Sequence, residues 1–459
     1  MTARGKEISI NAFYANTPGQ NWVGLWSHPK SKAVHYTSLD FWVEVARLAE
    51  RGLFDSIFFA DVSGVYDVYA GKPDAAIEHA AMCPMNEPLL LIPTMAYVTK
   101  NLSFGVTGNI SHEAPYYMAR RFSTLDHLTD GRVSWNIVTG FQEAGARALG
   151  LPHLGEHDER YDVADEYMEV VYKLWEGSWE DDAVLRDRVN RVYARPDRVH
   201  TVTHEGPNYR MSGIHLSEPS PQRTPVLYQA GGSPRGRAFA ARHAECVFMS
   251  GLPKQKTAER VRSIREQAAA LGRNPADIRF IMMATIIAAP TSAEARDKHE
   301  TLKSYVDTTG MLALFSGMSG IDLSKYSPDD TLKEVPSGGI RSLLEAMTSA
   351  NPTRVWRVRD IANFAPQPSR ECFLVGSPTQ IADEMEDWMR EADIDGFNLH
   401  RSGEPDHIAD FVELVVPELQ NRGIYKTEYR PGTFRQKLFG KGDRLGAGHP
   451  AGKFRYARN

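Results

Sequence analysis

The chain has 459 residues, 42% hydrophobic and 24% charged, with a formal net charge of −5. That is apolar material for a sizeable core, in one large barrel or two to three average domains, and it excludes wholesale disorder. A mildly acidic balance with no long basic run argues against a dedicated nucleic-acid surface.

The three cysteines, Cys83, Cys246 and Cys372, are widely spaced and form no CxxC pair. They read as free thiols in a reducing cytoplasm rather than a disulfide frame or zinc site. The opening MTARGKEISINAF lacks the apolar stretch of a signal peptide. No apolar run approaches the ~18–20 residues of a membrane span. The expectation is a soluble, cytoplasmic protein with no membrane partner.

In chain order, residues 8–13 (ISINAF) alternate apolar and polar and predict a first strand. A loop rich in Asn, Gly, Pro and Trp follows over residues 16–28. Residues 40–51 place Phe41, Val45, Leu48 and Ala49 on one helical face, and Gly52 ends that helix. Residues 56–60 (SIFFA) read as a buried strand stopping at Asp61, which serves equally well as a loop cap or as a presented carboxylate. A helix is expected over residues 87–99, a third strand over 103–106 ending in Thr107-Gly108-Asn109, and a helix over 115–128. Asp130-Gly131 is a turn, and residues 132–138 (RVSWNIV) make a fourth strand ending at Thr139-Gly140. This βαβαβαβ order, each strand closing on a small or polar residue, argues for a parallel sheet or barrel.

An inserted loop over residues 141–157 leads into a helix that begins in EHDERY and runs to about Trp175. Residues 176–223 hold many Arg, Asp, Pro and Tyr with little regular period and read as an excursion. Then comes PVLYQAGGSPRG, residues 225–236: a buried strand, a turn at Gly231-Gly232, and a helix start at Ser233-Pro234. Free N–H groups and the positive end of a helix dipole converge there, which suits an anion. An ordinary strand-to-helix turn would look the same.

The pattern continues with a helix to residue 243, a strand over 245–249, a helix over 254–271 and a strand over 279–289. A long segment, residues 291–370, delays the last unit and includes MLALFSGMSG with Met311, Leu314 and Phe315. Insertions of this length are usually functional, often lids. A helix over 377–392, a strand over 396–400 (GFNLH) and a helix over 408–423 containing Pro417 complete the series. Eight strand candidates define an α/β chain: a single (β/α)8 TIM barrel over residues 1–459, with insertions at 141–157, 176–223 and 291–370. The extension over residues 424–459 is expected to wrap a surface or a neighbouring subunit.

Sites in such barrels lie at the C-terminal strand ends, so Asp61, Thr107-Gly108-Asn109, Thr139-Gly140 and Gly231-Gly232-Ser233 would share one mouth. These small hydrogen-bonding groups suit a polar planar ligand with a phosphate tail. No HExxH, GxSxG or Walker motif occurs, and the spacing of Gly231, Gly232 and Gly236 does not fit GxGxxG. His157 and Tyr161 lie one helical turn apart and can face one ligand. His153, His157 and Asp158 fit caps and surface groups better than metal ligands, so no metal is expected.

Five stretches carry a resemblance: FDSIFFADVSGVYDVY, STLDHLTDGRVSWNIVT, EHDERYDVADEYMEVVYKLWEGSWEDDAV, EPSPQRTPVLYQAGGSPRGRAFAA, and DGFNL with VPELQNRG. Together they cover nearly the whole chain and resemble the bacterial luciferase-like flavin monooxygenases. The branch is that of the nitrilotriacetate, dibenzothiophene sulfone, dimethyl sulfide and long-chain alkane monooxygenases, the last two most similar. The resemblance implies a (β/α)8 barrel that binds reduced FMN (FMNH2) supplied by a separate flavin reductase. It implies O2 as co-substrate and transfer of one oxygen atom, through a flavin peroxide, to a small, largely apolar molecule such as a sulfide, amine or alkane. It also implies a homodimer or homotetramer.

Carried over residue by residue, Asp61 and Thr107 would lie by the flavin ring, and His157, Tyr161 and Ser233 toward the ribityl chain and phosphate. The backbone of Ala230, Gly231 and Gly232 would surround the phosphate, with Asn136 and Thr139 as further strand-end candidates. Where relatives often carry Cys and His after strand one, this chain has Thr17 and Gln20, followed by Asn21 and Trp22. A lid His of the alkane-type relatives falls near Met311 and Leu314. The flavin half is kept and the substrate half is altered, so Phe13, Thr17, Gln20, Tyr66, Met311, Leu314 and Phe315 are the substrate-side candidates. Two other readings stand beside this one: a deazaflavin-dependent hydride-transfer oxidoreductase of the same superfamily, and a non-catalytic flavin-binding protein.

Overall fold

The computed structural model describes residues 6–111, 113–331, 355–362, 371–401 and 407–456. The apolar runs bounded by turn residues become strands. The first four are β1 (Ser9–Ala15), β2 (Ser56–Ala60), β3 (Ser103–Asn109) and β4 (Val133–Val138). Two antiparallel hairpins follow, β5 (Val184–Asp187) with β6 (Val192–Ala194) and β7 (Val202–Glu205) with β8 (Arg210–Gly213). The rest are β9 (Val226–Gln229), β10 (Cys246–Met249), β11 (Arg279–Ala288), β12 (Phe373–Gly376) and β13 (Gly396–His400).

Eight of these strands close a parallel ring in the order β1-β2-β3-β4-β9-β10-β11-β13, with β13 returning to β1 and β10 pairing β11. This is the (β/α)8 barrel expected from the alternation of elements. β12 lies outside the ring. β11 is ten residues long; Ile281–Ala284 pair with β13, and the overhang Thr285–Ala288 takes β12 as an extra parallel neighbour.

Alternation along each strand separates two layers. Phe13, Phe58, Tyr228 and Phe248 fill the barrel, with Phe58 and Phe248 rings 4.2 Å apart and Tyr228 and Phe248 rings 5.2 Å apart. Trp42, Trp135 and Trp175 lie fully buried in the core layer beneath the helices. Each of their indole N–H groups is satisfied locally, Trp135 by the Gly108 carbonyl at 3.1 Å and Trp175 by the Ala119 carbonyl at 3.0 Å. The helix Leu39–Arg51 shows why such elements form. Ser38 accepts from the Asp40 N–H at its start, and Phe41, Trp42, Val45, Ala46 and Ala49 make one buried stripe.

Three local expectations change. The helix expected over residues 87–99 divides into a 3-10 turn, Pro88–Leu91, and a short helix, Ile92–Tyr97, because Pro93 restarts it. Pro417 is accommodated by a π-helical turn, Phe411–Val415, directly before the helix Val416–Asn421. That wider turn absorbs the lost N–H and the ring clash. Residues 176–223 do stand outside the barrel ring, but they carry two antiparallel hairpins where no regular element was expected; short charged ribbons carry too little apolar alternation to be read from sequence.

The C-terminal extension is not a loose wrap. Its helix Phe434–Phe439 inserts Phe434 and Leu438 beside Val226, Tyr228, Cys246 and Ile281, plugging the end of the barrel where the strands begin. Buried Arg435 pairs with Glu245 at 2.7 Å and donates to the Thr224 and Pro225 carbonyls. At the opposite end, the insertion at 291–370 contributes the helices Ser292–Ser304, Thr308–Ser319 and Val358–Ala362; residues 332–354 and 363–370 of the expected lid lie outside the described residues. Among the described residues, no helix is long and apolar enough to cross a membrane.

Candidate active site

The strands deliver their C-terminal ends to one mouth. Thr107 and Asn136 are register partners on β3 and β4. The Thr107 hydroxyl donates to the Phe59 carbonyl at 2.9 Å and accepts from Asn136 Nδ2 at 3.0 Å. This fixes the amide and leaves Asn136 Oδ1 buried without a partner. Asp61, just past β2, accepts from the Val62 N–H at 2.9 Å. Burial and the charge of Glu87 push its pKa up to about 7, against the opposing pull of that hydrogen bond. The buried Thr139, just past β4, uses its carbonyl to accept from the Ser111 hydroxyl at 2.8 Å. Phe13, Ala60, Val138 and Phe248 remain half-exposed at the same strand ends and give the mouth an apolar floor.

The next ring strand, β9, leads into the glycine turn. Ser233 caps the helix Pro234–His243, its hydroxyl accepting from the Gly236 N–H at 3.0 Å. The long helix His157–Gly177 crosses behind, where Tyr161 OH accepts from Gln229 Nε2 at 3.2 Å. His157 Nε2 lies 3.4 Å from the Ser233 hydroxyl, and its ring is 5.3 Å from that of Tyr161. The structure thus brings His157, Tyr161, Ala230, Gly231, Gly232 and Ser233 together at one turn. Gly231 is required by contact: a Cβ there would meet Tyr161 OH at 2.5 Å and Gly236 Cα at 2.9 Å.

The substrate-side candidates divide. Phe13 and Gln20 lie at the end of β1, where Gln20 Oε1 accepts from the Ala15 N–H at 2.8 Å and its buried Nε2 has no partner. The Thr17 carbonyl accepts from Arg401 at 3.0 Å. Met311, Leu314 and Tyr66 join Trp22 and Ile287 in one buried cluster beside the ends of β1 and β11. Phe315 does not: on the other face of its helix it packs with Ile321, Leu323, Trp356, Val358 and Ile361.

Sequence reasoning missed four residues. Gln229 faces outward from β9, yet its amide reaches Tyr161. His400, at the end of β13, meets the Asn21 amide through Nε2. Its pKa is pushed down to about 3 by burial and by Arg401. Arg237 donates to the Gly232 carbonyl at 2.9 Å, and Arg260 reaches the same turn from the helix Lys254–Ala270. GFNLH ends in a histidine at a strand tip, a signal that was available for His400; nothing in the local pattern marks Arg260. Among the described residues no three His, Cys, Asp or Glu side chains gather as a metal set, and His157 Nδ1 contacts Asp158 at 2.6 Å.

A closed parallel barrel with polar strand ends at one mouth, and a glycine turn running into a capped helix beside them, is the architecture of a barrel enzyme. A family model described as luciferase-like monooxygenase matches residues 21–396. The long-chain alkane monooxygenase of Geobacillus thermodenitrificans (strain NG80-2) is 47% identical over 452 residues, covering 98% of each chain. Its solved namesake superposes with a TM-score of 0.90 at 46% identity, over 98% of this chain and 100% of that one. The dimethyl-sulfide monooxygenase of Hyphomicrobium sulfonivorans is 44% identical over 98% of this chain and 94% of its own. A crystal structure of DmoA from the same organism superposes with a TM-score of 0.92 at 43% identity, over 98% of this chain and 96% of that one. A riboflavin lyase solved with modified FMN and riboflavin is 34% identical, with a TM-score of 0.90 over 98% of this chain and 100% of its own. The chain belongs to the luciferase-like monooxygenase family, and it is an oxidoreductase.

Proposed function

We propose that this protein is the oxygenase component of a two-component system. It takes reduced FMN from a separate flavin reductase, uses O2, and oxygenates a small organic substrate such as a sulfide, amine or alkane. The observation that carries the reading is an arc of hydrogen-bonding groups on four consecutive staves, Asp61 after β2, Thr107 on β3, Asn136 on β4 and Gly231 to Ser233 after β9. One end of the arc is apolar and half-buried, and the other is a glycine turn with a capped helix start. An amphiphilic planar ring with a phosphorylated tail fits that gradient. The unpaired Asn136 Oδ1 fits such a ligand too.

Reduced FMN, when bound, supplies the electrons that activate oxygen, and the protein's part is to bind, orient and exclude water. Asn136 presents its free Oδ1 to the ring edge as a fixed acceptor, and the Thr107 hydroxyl, itself anchored on the Phe59 carbonyl, holds that amide in place. Asp61 holds a proton near neutral pH and so can donate as well as accept there. Ser233, His157, Tyr161 and the Ala230–Gly232 backbone hold the tail. The helices Ser292–Ser304 and Thr308–Ser319 stand beside the mouth on the β1 and β11 side, where Gly317 lets the Tyr66 ring pack against the second of them. The names of the alkane and dimethyl-sulfide relatives support the substrate range, and the FMN in the riboflavin lyase structure supports the cofactor. A cytoplasmic location suits its free thiols, and a homodimer or homotetramer is the expected assembly.

The test is to mix the protein anaerobically with reduced FMN, admit oxygen, and follow flavin absorbance by stopped flow. Reoxidation slower than in free solution, hastened by substrate and with one labelled oxygen atom in product, is the expected result. Failure to bind reduced FMN while binding a reduced deazaflavin would replace this reading with hydride transfer. Tight FMN binding with no substrate-dependent oxygen use would leave a flavin-binding protein.

A further inference from the structure

Two arginines converge on the glycine turn from different helices. Arg260, on the helix Lys254–Ala270, sits so close that a Cβ built on Gly232 would lie 3.1 Å from its Nη1. Arg237, on the helix Pro234–His243, donates to the Gly232 carbonyl at 2.9 Å. Arg260 is half-buried, and no carboxylate pairs with it among the described residues. Burial and the charge of Arg237 both push its pKa down, and no anion raises it. Arg235, on the same helix as Arg237, shows the ordinary solution: Asp162 at 2.9 Å and Asp165 at 2.6 Å neutralise it.

Like charges held together without a counter-ion oppose each other and favour an incoming anion. A second observation points to what carries that anion. Gln229, 2% exposed, holds its amide against Gly231 and leaves Oε1 without a partner, an acceptor placed for a hydroxyl beside the turn. A hydroxylated chain ending in an anion is the shape these groups share.

We propose that Arg260, assisted by Arg237, clamps the terminal phosphate monoester of the flavin and makes the site selective for a dianionic phosphate. This rests on the flavin reading above. A phosphate monoester carries a charge of about −1.5 to −2 at neutral pH, against about −1 for a diester, so two guanidinium groups beside a helix N-terminus match the monoester. Arg260 is then a binding residue, and it biases the turn against both an unphosphorylated flavin and a phosphodiester one.

The experiment is anaerobic equilibrium binding of reduced FMN, reduced riboflavin and reduced riboflavin 4′,5′-cyclic phosphate at low and high salt. The wild-type protein prefers FMN over both. Arg260→Gln loses about tenfold to a hundredfold in FMN affinity, leaves riboflavin unchanged and flattens the salt dependence. Arg262→Gln, an exposed change on the same helix, leaves the preference intact. Arg260→Met keeps the apolar stem packed and repeats the result should the Gln variant fold poorly. An unchanged preference for FMN in folded Arg260 variants overturns the clamp and leaves the flavin reading standing. Equal wild-type affinity for FMN and riboflavin overturns the clamp at its base, and no flavin binding at all removes both.

Discussion

The Gln229 side-chain amide donates to the Tyr161 hydroxyl at 3.2 Å, and the pair stands directly over Gly231, where a Cβ would come within 2.3 Å of that nitrogen and 2.5 Å of that oxygen. Gly231→Ala therefore drives a methyl group into two buried polar groups and the Gly236 backbone. We expect a loss of about 1–3 kcal/mol in stability and weaker FMN binding, read by chemical denaturation and flavin titration. Gly232→Ala meets only the end of the Arg260 side chain at 3.1 Å, and it should be milder in denaturation.

Ser233 has two separable roles. Its hydroxyl caps a helix through the Gly236 N–H, and it faces the proposed phosphate. Ser233→Ala should cost about 1 kcal/mol in folding and weaken FMN binding. Ser233→Asp keeps a capping oxygen but adds a negative charge beside the phosphate. Thermal stability should be near wild type while FMN affinity collapses; retained affinity would leave Ser233 as a cap alone.

Asp61 has its pKa raised to about 7 in the folded protein by burial and by Glu87, against 3.8 as the ordinary value. The folded state therefore holds a proton that the unfolded chain releases between those values. The stabilisation is complete below about pH 3.8 and is lost as pH rises to about 7, by at most ~1.4 kcal/mol per pH unit. Asp61→Asn should remove this component from the stability profile and abolish any step near neutral pH in FMN binding. A binding profile unchanged by the substitution would place Asp61 outside the ligand's reach.

Buried histidines impose the opposite slope. His400 is depressed to about 3 and His215 to about 4, while His407 and His449 lie well below the usual 6.5, in each case first through burial. The unfolded chain takes up protons that these neutral rings refuse, so stability is present above pH 6.5 and is lost as pH falls through the folded values. Several such groups outweigh the single contribution of Asp61. Urea midpoints should fall steadily below about pH 6, and His215→Asn should lessen that slope.

At the other end of the barrel, Arg435 is held by both Glu245 oxygens, at 2.7 and 2.8 Å, with both side chains buried. Arg435→Met leaves Glu245 without its cation and should cost about 3–5 kcal/mol in denaturation. Once folded, the variant should bind FMN as the wild type does, because the plug lies under the barrel and the turn lies above it.

The sequence by itself determined the order of the barrel. SIFFA, RVSWNIV and PVLYQAGG are short, apolar and bounded by turn residues, and the helices between them carry their own caps and stripes, so period and punctuation suffice to read them. The same local chemistry exposed Asp61, Thr107 and Ser233 as strand-end and cap residues. What only the tertiary structure decided are the meetings between distant elements: Arg260 against Gly232, Gln229 against Tyr161, Asn21 against His400, and the Phe434–Phe439 helix seated under the barrel. Phe315 falls in the same class, because a helix with apolar residues on every side does not say which neighbour each face will meet. Periodicity records which way a side chain turns from its own backbone; which charges and rings share a space depends on how the ring of strands closes, and only the closed barrel holds that.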